Sequence, residues 1–191
     1  SGIIILSIIG IAALCAPILS PHDPSNIDSE HILIGPGPGH PLGTDGLGRD
    51  LLSRLLYGAR ISLTVGLIAI GISTILGITL GSLAGYYGGF LDTCIMRFVD
   101  IMLCFPTFFL ILAVVAVLDP SLFNIMAIIG LTSWMGTARL VRGEILSLKE
   151  REFIQSAVAI GASPGRIIIR HLIPNATGPV LVNATLGIAS A

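Results

Sequence analysis

Hydrophobic residues in this chain fall in long blocks divided by short clusters of charge, without the strict alternation of a half-buried strand. Five runs contain no Asp, Glu, Lys or Arg: residues 1–22, 61–91, 101–118, 120–138 and 171–191. Each is near the roughly 20 residues that an α-helix needs to cross about 30 Å of hydrocarbon. Ile, Leu, Val, Ala and Gly fill them continuously, which favours helices over barrel strands of about ten residues with dyad alternation. The pattern predicts an all-α, polytopic membrane protein with five transmembrane helices.

The first helix is expected over residues 3–19, ending before Pro21 and Pro24, which hold the chain in extended or turn geometry. Residues 20–48 read as a loop crowded with Gly and Pro, and Asp50 to Arg60 as a short interfacial helix. The second span is placed at Ile61 to Gly85. A third follows at Cys94 to Leu118 with a kink at Pro106, and a fourth at Leu122 to Leu146, its charged end projecting into the cytoplasm. After an amphipathic segment the chain enters a fifth span beyond His171 and Pro174. Organisation is therefore read as a first helix (1–19), an external loop (20–60) and a core (61–191) with a coupling segment at 148–170. With Ser1 at one end and apolar residues running to Ala191, the chain reads as an excerpt, truncated at both ends, and a sixth helix is expected beyond Ala191.

Composition agrees with this reading. Hydrophobic residues make up 53% and charged residues 11%, against about 25% charged in soluble domains. Mean hydropathy is +0.95. So few charges cannot cover a water-soluble globule, and so much apolar content excludes a disordered chain. A net charge of −1 argues against a nucleic-acid partner and leaves the lipid bilayer as the expected surroundings. Orientation follows from the cations Arg139, Arg142, Lys149, Arg151, Arg166 and Arg170 after the fourth span, which place that segment in the cytoplasm. The Asp119-Pro120-Ser121 turn and the loop 20–60 then lie outside.

Several patterns carry specific expectations. Gly77, Gly81 and Gly85 recur every four residues, a small-residue stripe that lets another helix approach backbone to backbone. Arg97 and Asp100 stand three apart and are expected to screen each other. From Glu150, the residues Phe153, Ile154, Ala157 and Ile160 form one apolar face, and Gly161 supplies a backbone able to turn through positive φ. Ser163 and Pro164 then restart a helix in the N-cap and N1 pattern.

Four strings in order, HPLGTDGLGRDLLSRLLYGARISL (40–63), AGYYGGFLD (84–92), ARLVRGEILSLKEREF (138–153) and GASPGRIIIRHLIPN (161–175), resemble permease subunits of binding-protein-dependent ABC importers in the dipeptide, oligopeptide and nickel branch. The cytoplasmic signature of that family stands in register at Ala157, Gly161 and Pro174, whereas Gln155, Ser156 and His171 depart from its pattern. The resemblance implies a type I ABC importer permease fold in a prokaryotic inner membrane. It implies a homologous second permease subunit forming a heterodimer, two ATP-binding subunits and an extracytoplasmic substrate-binding protein. Peptides are the implied solute, and nickel or another metal complex is the alternative within the branch. ATP and Mg would belong to the partner subunits, with no cofactor held by this chain. Coupling to the ATPase would then involve Glu150, Glu152, Phe153, Ile154, Ala157, Gly161 and Pro174, with Phe153 and Ile154 as apolar anchors and the acids on a polar rim.

Catalysis by the chain itself is not expected. Gly35 to Gly39 lacks the Gly-Lys-Ser or Gly-Lys-Thr ending of a phosphate-binding loop, and no nucleophile has a positioned acid and base. His22, His31 and His40 are nine residues apart, a spacing without secondary-structure logic; scattered histidines of an exposed loop are favoured over a metal site. Cys15, Cys94 and Cys104 read as small apolar packing residues. A secondary transporter or channel, the alternative of another class, is expected to carry ionisable groups near the bilayer midplane, where these runs have none.

Overall fold

The computed structural model describes residues 2–117 and 121–190, among which there are nine α-helices, one π-helical turn and no strand. Asp119 and Pro120 of the expected turn lie outside the described residues, as does Leu118. The chain divides into two compact units, Ser1–Val65 and Gly66–Ala191.

The first unit begins with α1 (Gly2–Leu14) and α2 (Ala16–Leu19), where a single helix over 3–19 was expected. Pro17 accounts for the break: it brings no N–H, and its ring excludes the carbonyl four residues earlier. Residues 20–50 form turns with two isolated bridges, Gly37 to His40 and Thr44 to Asp50. Thr44 is buried, and its hydroxyl accepts from the Ile34 N–H at 3.1 Å.

Helix α3 spans Leu51–Tyr87, 37 residues or about 55 Å. The separate interfacial helix expected at Asp50 to Arg60 does not occur, because no breaker separates it from the apolar run and α3 continues through both. Asp50 fixes the start. Its Oδ2 accepts from the Ser53 N–H at 2.8 Å and from the Ser53 hydroxyl at 2.7 Å, an N-cap that satisfies an otherwise orphaned donor.

In the second unit, positive φ at Gly88 (64°) and Gly89 (57°) turns the chain from α3 into α4, Gly89–Leu103. The third span expected at Cys94 to Leu118 begins earlier and is split. α4 and α5 (Thr107–Val117) meet at 84°, with Pro106 just before α5. Helix α6 spans Leu122–Lys149, and Ser121 precedes it as N-cap. There follow α7 (Glu152–Ala159), α8 (Pro164–Ile167), a π-helical turn at Ile168–Leu172 and α9 (Ile173–Ser190). The Ile173 N–H bonds to the Ile168 carbonyl five residues back, and this wider turn comes immediately before Pro174, which has no N–H to offer an α-helical ladder.

Gly77, Gly81 and Gly85 lie against α6. A Cβ at Gly77 would stand 2.5 Å from Thr137 Cβ, one at Gly81 2.5 Å from the Ala138 carbonyl oxygen, and one at Gly85 2.8 Å from Ile145 Cβ. Gly130 on α6 meets Ile72 and Ala69 of α3 in the same way. One core joins Val141 and Ile145 of α6 to Ile154, Ile167, Leu172 and Val180; another gathers Val99, Trp134, Met135 and Ala138. Ion pairs add to the contact of α4 with α6. The Arg142 guanidinium grips both oxygens of Asp92, with Nη2 to Oδ2 at 2.6 Å, and Arg139 pairs with Asp100. Asp100 therefore finds its cation on another helix instead of at Arg97.

Among the described residues, α3 alone is long and apolar enough to cross a membrane by itself, and α4 with α5 passes the same test as a bent pair. Cys94 and Cys104 are exposed and Cys15 half-buried, all three as free thiols, so two of them do not pack as small core residues.

Candidate functional site

The segment after α6 is built from its helix ends. Arg151 is the N-cap of α7 in extended geometry, and Glu152 puts a carboxylate in the first turn, where the helix dipole favours it. The end is a Schellman closure. Gly161 adopts φ 79°, its N–H bonds to the Val158 carbonyl at 2.9 Å, and the Ala162 N–H reaches back to the Ala157 carbonyl at 3.1 Å. Ser163 and Pro164 then open α8.

Eight residues make little more than two turns, so the two faces of α7 are sharply distinct. Ile154 (1% exposed) and Ala157 (6%) pack into the chain's own core beside Val141, Ile145 and Ile167. Ile154 is thus spent on holding α7 to the fold, which removes it as an anchor for a partner. The outward apolar side chains are Phe153 (45%), Val158 (54%) and Ile160 (85%). Glu150 and Glu152 are exposed beside them, Gly161 closes the helix, and Pro174 lies on the surface of α9. Of the residues picked from sequence, Phe153, Glu150 and Glu152 are therefore displayed, whereas Ile154 and Ala157 are internal. Val158 was missed because five residues after Phe153 place it about 140° round the helix, outside the i, i+3, i+4, i+7 pattern.

A cleft of about 550 Å³ adjoins this surface, lined by Tyr86, Tyr87, Lys149, Glu150, Gln155 and Val158 among others. Lys149 Nζ donates to the Tyr86 carbonyl at 2.8 Å and lies 5.7 Å from the centre of the Tyr86 ring. The end of α6 is thereby tied to the end of α3.

A second cavity, about 580 Å³, opens among α3, α5, α6 and α9. Its polar lining is made of Ser73, Thr74, Thr107, Ser133, Thr137 and Asn183, and no ionisable side chain is among its described lining residues. Asn183 Nδ2 donates to Thr137 Oγ1 at 3.1 Å across α9 and α6. In the sequence these groups are neutral hydroxyls and an amide within otherwise apolar runs, and the lack of charge there conceals them.

The histidines of the first unit are not scattered. His22 and His40 stack with ring centres 4.7 Å apart, and His40 Nδ1 lies 3.0 Å from Asp50 Oδ1. His31 is tilted against His40 with ring centres 6.0 Å apart, and its Nδ1 is engaged 2.7 Å from Asp28 Oδ2. Burial works to raise the pKa of Asp50, but bonds from Ser53 and His40 together with the charge attraction of His22 outweigh it, and the carboxyl is held below its ordinary range. Asp45 is likewise held well below the ordinary carboxylate range. Against desolvation stand the Leu47 and Arg49 N–H groups and the guanidiniums of Arg49 and Arg54.

Among the described residues the regular structure is all helical and large apolar side chains stand exposed on it, the make-up of an integral membrane protein. Residues 77–191 match the family of binding-protein-dependent transport system inner membrane components, and the chain belongs to that family. It is similar over its whole length to the dipeptide transport system permease protein DppC of Alkalihalophilus pseudofirmus, at 44% identity and covering 62% of that protein. Similarity also extends to DppC of Haemophilus influenzae (38% identity, 66% of its length) and to the oligopeptide transport system permease protein OppC of Bacillus subtilis (36%, 62%); each aligns with the whole of this chain. The chain spans just under two thirds of the length of these relatives.

Proposed function

We propose that the whole protein is a permease subunit of an ABC importer for di- and oligopeptides, crossing the inner membrane several times. The described cavity would form part of the solute path, and ATP would be hydrolysed by two separate subunits. The observation that carries this reading is α7. It is an eight-residue helix fastened by Ile154 and Ala157, closed at Gly161, and left with Phe153, Val158 and Ile160 outward beside Glu150 and Glu152. An apolar centre with a polar rim on a fastened element suits docking to a protein groove, where it would pass movement on to α6 and α9 through the shared core. A second permease subunit and an external binding protein complete the assembly.

Peptide transport is supported by the neutral lining of the cavity. Hydroxyls and an amide can exchange hydrogen bonds with a peptide backbone in passing, whereas a fixed charge would retain a zwitterion at one point. The test places Phe153→Asp in the full-length permease, expressed with its transport system. Membrane insertion should persist while ATPase association weakens at least about tenfold, as for loss of one interface hot spot. Normal association and normal uptake in this variant would remove α7 as the docking element.

A further inference from the structure

The first unit gathers three side chains able to ligate a metal, none of them in α7 or among the residues lining the hydroxyl-rich cavity. Ligand atoms of His22, His40 and Asp50 all lie within 4.8 Å of one another. From Asp50 Oδ1, His40 Nδ1 stands at 3.0 Å and His22 Nδ1 at 4.0 Å. Asp50 is 2% exposed and cannot swing, since its Oδ2 is fixed by Ser53 at the first turn of α3; its Oδ1 is the atom facing the two imidazoles. A cleft of about 60 Å³ opens on the three, with Asp23, Asn26 and Asp28 also in its wall. That exceeds the roughly 10–15 Å³ that one water needs by this measure, so an ion with coordinated water fits.

We propose that His22, His40 and Asp50 bind a divalent transition-metal ion of the zinc, nickel or cobalt type, clipping the loop before α3 to the start of that helix. Two imidazoles and one carboxylate are a borderline donor set, which suits these ions and disfavours Mg²⁺ and Ca²⁺. Two ligands with bonds of about 2.1 Å can stand no more than about 4.2 Å apart. The present maximum of 4.8 Å therefore requires a small closure, which the His22 side chain, 41% exposed, is free to make. Asp50 supplies a carboxylate oxygen held in place through Ser53, and water completes the coordination from the open side. Because the ligands lie 18 and 10 residues apart in sequence, one ion closes two loops at once. His31, held by Asp28, takes no part.

The test is titration of the full-length protein in detergent, after chelator treatment, with Zn²⁺ in competition with a chromophoric chelator. One ion per chain is expected. His22→Ala and His40→Ala should each weaken binding by at least about tenfold, and His31→Ala should leave it unchanged. Asp50 is left intact because it also caps α3. Hydrogen exchange gives the second readout, since Zn²⁺ should slow exchange over residues 22–50 in the unaltered protein and not in His22→Ala. The proposal is overturned by the absence of saturable binding, by wild-type affinity in both histidine variants, by equal competition from Mg²⁺, or by loop exchange indifferent to the metal.

Discussion

At the level of single residues, Gly161 is a position where backbone conformation decides the outcome. Its φ of 79° lies in the left-handed region, yet nothing lies within 4 Å of where a Cβ would be. Any penalty for a side chain there comes from the backbone and not from a clash. Gly161→Ala should cost about 1–2 kcal/mol in the unfolding midpoint of the detergent-solubilised protein, and Gly161→Asn distinctly less, because Asn tolerates this conformation. Equal losses in the two variants would point to packing instead. Asp45 makes a pH prediction. Its folded pKa is depressed below the ordinary 3.8, so the ionised form is the one that holds the turn with Arg49 and Arg54. That contribution is fully present above about pH 4 to 5 and is lost as pH falls through the lowered folded value. Amide exchange at Leu47 and Arg49, as a ratio of Asp45→Asn to the unaltered protein, should show the variant less protected at pH 7. The two should converge in strong acid.

At the level of elements, the glycine stripe of α3 illustrates how far residue pattern reaches. A four-residue repeat of Gly implies that some helix comes close, and the close partner is α6, within 2.5 Å of a hypothetical Cβ at Gly77 and Gly81. Gly71, on the same helix, has open space around its Cβ position. Gly71→Ala should therefore be neutral or stabilising by up to about 1 kcal/mol from helix propensity. Gly81→Ala should destabilise despite the same gain, because the Ala138 carbonyl is backbone and cannot move aside alone. Thermal unfolding of the two variants checks this, and a stabilised Gly81→Ala would show that the helices are not in contact there. Other features were less legible. The charge-free runs indicate a membrane protein, and Gly161 and Ser163-Pro164 mark the end of α7 and the start of α8. The continuity of α3 was missed because Arg54 and Arg60 suggested an interface, although neither breaks a helix. The inward turn of Ile154 could not be separated from the outward turn of Phe153, since adjacent residues on one apolar face both look like anchors until the core beneath them is known. His22, His40 and Asp50 converge through a loop whose path depends on Thr44 and Asp45, and sequence spacing carries no record of that path.

At the level of the molecule, large apolar side chains remain exposed in both units, including Ile4, Ile8 and Ile18 in the first and Phe90, Phe108, Phe109 and Leu181 in the second. For a protein in water such a surface would be an aggregation hazard; in lipid it is the surface the solvent requires. The polar exceptions inside the helical bundle then become the informative ones. Thr137 is 4% exposed, lines the cavity and accepts a bond from Asn183, so its hydroxyl is both a tether between α6 and α9 and a polar group on the proposed solute path. Those roles separate by substitution. Thr137→Ser keeps the hydroxyl and should preserve dipeptide uptake. Thr137→Val keeps the shape and removes the acceptor, so the bond from the exposed Asn183 amide is lost at a cost of about 0.5–1.5 kcal/mol. If the hydroxyl serves only as a tether, Thr137→Val lowers the unfolding midpoint and, once folded and assembled with its ATPase, transports normally. If the cavity carries the solute, uptake per assembled complex falls with ATPase association unchanged, and it is this second outcome that the neutral, hydroxyl-lined cavity predicts.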